Sequence, residues 1–206
     1  MKIGPATQPT TGISGSNPDT IVIRGHDLVH DLIGRISFTD HVWLLVCGTL
    51  PTEVQRRILD ATLVAIAEHG LVPSVQAARM TLAAAPEALQ GAVAAGLLGC
   101  GSVILGASEA AGRLFSEVVG LHDTAGTTLE EAASQIVGRY RSEKRAIPGY
   151  GHPLHKGFDP RARRLVELSR ELAVFGRHSQ AALAVESVLP SVIGKPLVMN
   201  ISSAIP

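Results

Sequence analysis

Residues 147–164 bring together most of the side chains in this sequence that could do chemistry. They hold two histidines, a lysine, an aspartate and three arginines, set among three glycines and three prolines. Glycine and proline impose an irregular backbone, so these polar groups meet at one place instead of spreading over a solvated face. A histidine held in one direction can donate a hydrogen bond to a carbonyl, and a guanidinium can capture a carboxylate. The spacing of His152 and Arg161 therefore indicates a site for an anionic, carbonyl-bearing molecule.

The other polar residues of this loop have both structural and functional interpretations. Asp159 followed by Pro160 is typical of a helix start, and the positive end of that helix favours an anion. Lys156 is less constrained and suits a phosphate at the rim. His155 could assist His152 or face solvent. The alternative for the whole loop is a well-capped surface helix with ordinary solvated basic residues.

Periodic apolar positions predict an all-α fold, apart from a short strand over residues 20–24 that would belong to a small N-terminal β-hairpin. Thr52 and Gln55 form a capping box for a helix over 53–69. A helix over 86–98 is apolar almost all round, so we expect it to be buried between other helices. Further helices are predicted over residues 26–34, 37–47, 74–84, 107–119, about 128–140, 161–175 and about 179–188.

Composition excludes several classes of protein. The 206 residues are 46% hydrophobic and 17% charged with a formal net charge of +0, which argues against disorder and against a global attraction to nucleic acid or anionic membranes. No signal peptide or membrane-spanning run is recognised, so a soluble cytoplasmic protein is expected. Cys47 and Cys100 lie in apolar surroundings and are expected to be buried free thiols.

No cofactor other than a substrate is expected. His26 and His30 are four residues apart, which is only a weak zinc pattern without acidic or cysteine partners. Residues 99–101 are no dinucleotide fingerprint, because they follow a helix and lack the third glycine. Neither a metal ion nor a nucleotide cofactor is therefore predicted.

The run Gly149-Tyr150-Gly151-His152, followed by Lys156 and Asp159-Pro160-Arg161, resembles the signature of the citrate synthase family. The resemblance implies that His152 binds the keto or hydroxyl oxygen of a dicarboxylate and that Arg161 holds one of its carboxylates. It assigns Lys156 to coenzyme A, whose thioester would be a substrate.

The resemblance covers most of the chain. Residues 23–51 are similar to the N-terminal pattern of the family, with His26 where tyrosine is usual. His69 matches a second oxaloacetate-binding histidine, so His152 and His69 are the expected catalytic residues. The short chain and residues 85–91 resemble the short bacterial citryl-CoA lyase-type members.

The family also implies an architecture of two helical domains in a homodimer. A large domain would hold residues 1–107, and a small domain, residues 108–203, would carry the loop. Residues 204–206 would begin the return to the large domain. Because the sequence stops at Pro206, before the last helices of the family and a further carboxylate-binding arginine, the C-terminal part is expected to be absent.

Two positions depart from the family pattern. Ile104 stands where the family has an enolising histidine, with Leu105 at the following glycine, and Ser202 stands where it has an aspartate base. Neither aliphatic side chain can donate a hydrogen bond, and a serine hydroxyl is not a base near neutral pH.

Three functions follow from this pattern. The first is an acyl-CoA C–C lyase or synthase of citryl-CoA lyase or citrate synthase type. The second is a catalytically impaired member that binds a dicarboxylate or CoA thioester as a sensor or subunit partner. The third, a purely structural helical dimer, is the weakest because the binding loop is intact.

Overall fold

The computed structural model describes residues 11–101, 106–152 and 154–206. It divides into two compact units, residues 1–61 and 62–206. The predicted boundary between a large and a small domain near residue 107 stays a prediction.

The first unit contains a three-stranded antiparallel sheet. Strands β1 (Ser14–Ser16), β2 (Ile21–Ile23) and β3 (His26–Asp27) pair in sequence order. Arg24 and Gly25 connect β2 to β3 with φ of 48° and 86°, the left-handed values that a tight two-residue hairpin turn requires. The predicted hairpin is thus confirmed, with one additional strand.

The helix predicted over residues 26–34 is different in the structure. Its first residues form β3, and only a single turn of π-helix, Leu28–Leu32, follows. The Asp27 carboxylate accepts hydrogen bonds from the backbone N–H groups of Val29 and His30, both at 2.8 Å. A strand end and a capped turn thus replace the helix because pairing with β2 outweighs a short apolar period.

Helix α1 (Phe38–Cys47) begins at a capping box formed by Ser37 and Asp40 and ends at Gly48 in the left-handed conformation. The Arg24 guanidinium donates to the carbonyl of Leu45 at its C-terminal end, at 2.7 and 3.2 Å. Cys47 is a free and exposed thiol, so the expectation that it is buried was wrong; Cys100 is free and half-buried.

Helix α2 (Glu53–Ile66) has the predicted capping box, in which Thr52 and Gln55 exchange hydrogen bonds of 2.8 and 3.2 Å. The helix ends three residues earlier than predicted, so His69 lies in the loop that follows it.

Helices α3 (Pro73–Ala84) and α4 (Leu89–Leu98) pack against each other through small residues. A Cβ atom added at Gly96 would lie 3.2 Å from the Ala78 Cβ, and one added at Gly99 would lie 2.9 Å from the Ser74 Cα. The opposite stripe of α4 is exposed, with Leu89 at 62%, Val93 at 54% and Leu97 at 68%. In this single chain α4 is therefore not buried all round, contrary to the expectation.

The core of the second unit is formed by α5 (Ala107–Ala125), α6 (Leu129–Ser142) and α8 (Arg177–Ile193). Leu114, Phe115, Val137, Val185 and Leu189 are fully buried there. Two shorter helices complete the unit: α7 (Pro160–Glu171), which follows the loop, and α9 (Ile201–Ala204), which packs on α5 and α7. No helix in the described part of the chain is both long and apolar enough to cross a membrane.

Candidate functional site

The backbone before His152 is fixed by the segment of residues 198–203. The carbonyl of Gly149 accepts hydrogen bonds from the N–H of Asn200 at 2.9 Å and from the Ser203 hydroxyl at 2.7 Å. Gly151 donates to the carbonyl of Val198 at 2.7 Å, and its own carbonyl accepts from the Asn200 side-chain amide at 2.8 Å. These four bonds join two segments about fifty residues apart into one rigid support.

The backbone conformation and the close approach of Ser203 leave no room for a side chain at position 149. Its φ is 83°, and an added Cβ would lie 1.9 Å from the Ser203 hydroxyl oxygen. Tyr150, the next residue, anchors the loop in the core: its hydroxyl donates to the Ala182 carbonyl at 2.7 Å, and its ring meets the Phe115 ring edge-to-face. Burial raises the pKa of Tyr150 far above its ordinary value, so this hydroxyl stays a neutral anchor.

The hydrogen bonds to the His152 ring determine its tautomer. Its Nδ1 atom accepts from the backbone N–H groups of Leu154 and His155, both at 3.1 Å. An imidazole nitrogen that accepts two hydrogen bonds carries no proton, so in the neutral ring the proton is on Nε2. His152 therefore presents one N–H donor, as binding of a substrate oxygen requires.

The surroundings of His152 favour this neutral form. Burial lowers the pKa of His152 below the ordinary histidine value, and the charges of His155, Arg161 and His69 lower it further against the opposing effect of Asp159. The His155 ring lies on the His152 ring, with centroids 4.4 Å apart and planes tilted by 33°. His155 therefore contacts His152 and does not simply face solvent.

Arg161 is held by a buried carboxylate. Asp159 is 1% exposed, and its Oδ1 and Oδ2 atoms accept from the Arg161 Nε and Nη2 atoms at 3.1 and 2.8 Å. The same carboxylate caps α7 by accepting from the Arg161 backbone N–H at 3.0 Å. Burial acts to raise the pKa of Asp159, but the hydrogen bonds and charge of Arg161 outweigh it and hold the pKa below its ordinary value.

This arrangement leaves some N–H donors of the Arg161 guanidinium bonded to Asp159 and others unpaired among the described residues. The Nε edge is occupied by Asp159, whereas the Nη1 atom has no partner among the described residues, and Arg161 is partly exposed. The terminal edge of the guanidinium, formed by the two Nη atoms, therefore remains for the bidentate capture of a carboxylate.

Lys156 and Ser202 lie at the margins of this arrangement. The Lys156 Nζ atom donates to the His152 carbonyl at 3.0 Å, which leaves two of its protons for an outside acceptor. Ser202 donates its backbone N–H to the Asn200 side chain at 2.9 Å. Its hydroxyl has no hydrogen-bond partner in the described part of the chain. Ile104 and Leu105, the other altered positions, lie outside the described residues.

His152, His155 and Asp159 offer potential metal-ligand atoms within 4.8 Å of one another. Two of these groups already have partners, because Nδ1 of His152 accepts two backbone bonds and both oxygens of Asp159 accept from Arg161. Coordination through Nε2 of His152 would place the proton on Nδ1, against two N–H donors. These residues fit an anion held by His152 and Arg161 better than a cation.

A cleft with a volume of about 430 Å³ lies beside the site. Asp159 is shared with the site, but neither His152 nor Arg161 lines the cleft. Its charged residues Arg163, Glu167, Arg170 and Glu186 carry both signs, and Glu186 accepts the backbone N–H of Met199. The cleft is therefore not lined by the donors of His152 and Arg161 that would hold an anion.

The sequence indicated His152 and Arg161, and the structure holds them on one loop and the start of one helix. It did not indicate the supporting roles of Asn200, Ser203 and Tyr150. The only local signal was the pair of glycines around Tyr150, because the partners are distant in sequence.

Comparisons with known proteins agree with this geometry. Residues 52–204 match the family model "Citrate synthase, C-terminal domain". The citrate synthase of Heyndrickxia coagulans is 30% identical over 142 residues, which are 67% of this chain and 35% of that protein. The chain thus spans about a third of the length of that relative.

Solved structures extend the match to nearly the whole chain. The citryl-CoA lyase of Hydrogenobacter thermophilus superposes with a TM-score of 0.84 at 38% sequence identity, covering 97% of this chain and 74% of that one. The ATP citrate lyase of Methanothrix soehngenii, solved with citrate and coenzyme A, has a TM-score of 0.78 at 23% identity and covers 98% of this chain and 32% of that one. The second likeness concerns the fold alone.

The match to the family model, which covers well over half of the residues, adds to the intact loop motif and to the helical fold shared with citryl-CoA lyase. The chain belongs to the citrate synthase family.

Proposed function

We propose that this protein acts in acyl-CoA-dependent cleavage or formation of a C–C bond, in the manner of citryl-CoA lyase or citrate synthase. Its substrates would be citryl-CoA, or acetyl-CoA with an oxaloacetate-like dicarboxylate. The observation that carries the proposal is the pairing of an Nε2–H donor on His152 with the Arg161 guanidinium held by Asp159.

Each of these groups would have a separate task. The Nε2–H of His152 would donate to the keto or hydroxyl oxygen, where charge changes as the C–C bond breaks or forms. The terminal edge of Arg161 would hold a carboxylate, assisted by the positive start of α7. His69 would contribute to the same dicarboxylate, and the free protons of Lys156 would meet a phosphate of coenzyme A.

The replaced residues lower the expected rate. Because His152 carries its proton on Nε2, it is a hydrogen-bond donor toward the substrate. It therefore does not replace the aspartate base of the family, and neither can the hydroxyl of Ser202. The loss of one oriented donor or base reduces a rate by about 10²–10⁴-fold. We therefore expect slow turnover unless another group supplies the missing proton transfer.

The test is an assay of the purified protein with citryl-CoA, and separately with acetyl-CoA plus oxaloacetate, following acetyl-CoA or free thiol. Arg161→Lys serves as the matched variant, because it keeps the charge next to Asp159 but loses the bidentate geometry. We expect turnover in the parent that falls at least tenfold in Arg161→Lys. Equal rates in both proteins would contradict an assignment of the activity to this site.

A second variant restores the family pattern. Ile104→His, Leu105→Gly and Ser202→Asp together are expected to raise lyase turnover by about 10²-fold or more, because they return the donor and the base that the family pattern has at these positions. An unchanged rate in a folded triple variant that still binds oxaloacetate would argue against the shared mechanism.

One observation favours a second function, that of a binding protein for a dicarboxylate or CoA thioester. The groups that would hold a dicarboxylate, His152 and Arg161, are present, whereas Ser202 stands where the family has its base. In that case no turnover is measured, and oxaloacetate raises the unfolding temperature of the parent but not that of Arg161→Lys. An absence of any shift with dicarboxylates would contradict this second function.

We also propose that the protein works as a homodimer in the cytoplasm. The exposed stripe of Leu89, Val93 and Leu97 on α4 supports a second copy as its cover, because large apolar side chains at four-residue spacing seldom remain in water.

A further inference from the structure

Asn200 uses each of its hydrogen-bonding functions in the support of the loop. Its backbone N–H donates to Gly149 and its side-chain amide donates to Gly151. Its Oδ1 atom accepts from the N–H of Ser202, and its own carbonyl accepts from Ser203 at 3.0 Å. Asn200 therefore joins α9 to the backbone that immediately precedes His152.

The bond to Gly151 is the one that reaches His152. The carbonyl of Gly151 and the N–H of His152 belong to the same planar peptide unit, so fixing the oxygen fixes the direction in which the chain enters His152. Gly151 has a φ of 87°. Because glycine can adopt several other backbone conformations at little cost, its own preference would not select this orientation of the peptide unit.

The tautomer of His152 depends on that entry direction. Its Nδ1 atom must meet the N–H groups of Leu154 and His155 at 3.1 Å on the following turn. If the peptide unit between Gly151 and His152 rotated, the ring would leave these donors, and both tautomers would then be accessible. We propose that Asn200 is a positioning residue that keeps the proton of His152 on Nε2 by holding the Gly151 carbonyl.

The inference rests on the proposed function for its consequence in ligand binding, but not for its effect on His152. The decisive variant is Asn200→Ser. Serine is a good N-cap and retains an acceptor for Ser202, but it is too short to donate to Gly151. It also adds no charge, so any change at His152 comes from orientation.

Two measurements are made on the variant and on the parent. The ¹⁵N chemical shifts of the His152 ring in the ligand-free protein report the tautomer, and calorimetric titration with oxaloacetate reports the affinity. In Asn200→Ser we expect the two nitrogen shifts to move toward an average of both tautomers and the affinity to fall about tenfold, which corresponds to about 1.4 kcal/mol.

Nitrogen shifts equal to those of the parent would overturn the inference. Altered shifts with an affinity within twofold of the parent would overturn only the expected consequence for dicarboxylate binding. If the parent itself binds no dicarboxylate, the proposed function fails while the nitrogen shifts alone still decide the role of Asn200. If Asn200→Ser does not unfold cooperatively, Asn200→Thr is used instead, since threonine also retains a cap acceptor, adds no charge and is too short to donate to Gly151. The nitrogen shifts of His152 and the affinity are then compared with the parent in the same way.

Discussion

His152 is a neutral hydrogen-bond donor because the backbone, and not a carboxylate, engages its Nδ1 atom. Protonation would place an N–H on Nδ1 against the N–H groups of Leu154 and His155. This local conflict acts in the same direction as burial, which lowers the pKa of His152. The sequence predicted that His152 binds substrate, but the protonation state of its ring is defined only by its contacts in the folded chain.

The lowered pKa of His152 predicts how stability changes with pH. The unfolded chain takes up a proton at the ordinary histidine value of about 6.5, whereas the folded chain resists protonation to lower pH. As the pH falls through about 6.5, the unfolded state binds more protons and the free energy of unfolding decreases. We expect urea denaturation at pH 7.5 and 5.5 to show a larger loss in the parent than in His152→Gln. Equal losses would contradict the depressed pKa.

Asp159 stabilises the fold and orients Arg161 at the same time. Asp159→Asn retains an acceptor for the helix cap but removes the charge opposite Arg161. The expected loss is about 1–3 kcal/mol of unfolding free energy, since a hydrogen-bonded partner is lost from a partly exposed pair. The dicarboxylate affinity, measured by titration at a temperature where the variant is folded, should also fall. Arg161→Lys is the control for the binding effect, and a fully stable Asp159→Asn would contradict the role given to the pair.

At the scale of elements, the sequence predicted helices better than it predicted their ends. The capping box at Thr52 is confirmed, and of the two threonines at 127 and 128 that could cap α6, the structure uses Thr128, because both signals are local. Helix α5 runs on to Ala125, six residues beyond the predicted end at residue 119. The predicted helix ends just before Gly120, but a helix tolerates one glycine at about 1 kcal/mol, and the left-handed glycine that ends α5 is Gly126.

The contact between the loop and α9 could not be predicted in the same way. Asn200 bonds to Gly151 across 49 positions, and neither residue carries a periodic signal. Ser203, buried against Gly149, was likewise not identified. Long-range hydrogen bonds of this kind depend on how the helices pack, which single-sequence patterns do not encode.

Gly149 offers a test of this contact. Gly149→Ala and Gly194→Ala both introduce a side chain at a φ of 83°, but only the first meets an atom, the Ser203 hydroxyl oxygen, whereas nothing lies within 4 Å at Gly194. Both should lose about 1–2 kcal/mol from the left-handed conformation. Gly149→Ala should lose about 1–3 kcal/mol more from overpacking. Urea denaturation of the two variants measures the difference in the free energy of unfolding. Equal stabilities would contradict the predicted overpacking against Ser203.

At the scale of the whole molecule, helix α4 has one face that packs on α3 and one apolar face that the single chain leaves exposed. Gly96 and Gly99, at the end of α4, approach α3 closely, while Leu89, Val93 and Leu97 are exposed in the single chain. The sequence correctly showed that α4 is apolar all round. It did not show which half of that surface the chain itself covers, because this depends on the close approach that the glycines allow.

The exposed stripe predicts the oligomeric state. We expect light scattering after size exclusion to give the mass of a dimer for the parent and that of a monomer for Leu97→Glu. Val174→Glu, at an exposed apolar residue between α7 and α8, is the control and should remain a dimer. A monomeric parent, or a dimer that persists in Leu97→Glu, would contradict the assignment of this surface.

The freedom of the Ser202 side chain has an evolutionary consequence. Its neighbours Asn200 and Ser203 sustain the loop, but its own hydroxyl has no partner in the described part of the chain. A substitution at 202 therefore breaks no side-chain hydrogen bond among the described residues, whereas substitutions at 149, 200 and 203 disturb the support of the loop. If the residue at 202 sets the reaction, one substitution there would alter the chemistry and leave the loop motif of the family intact.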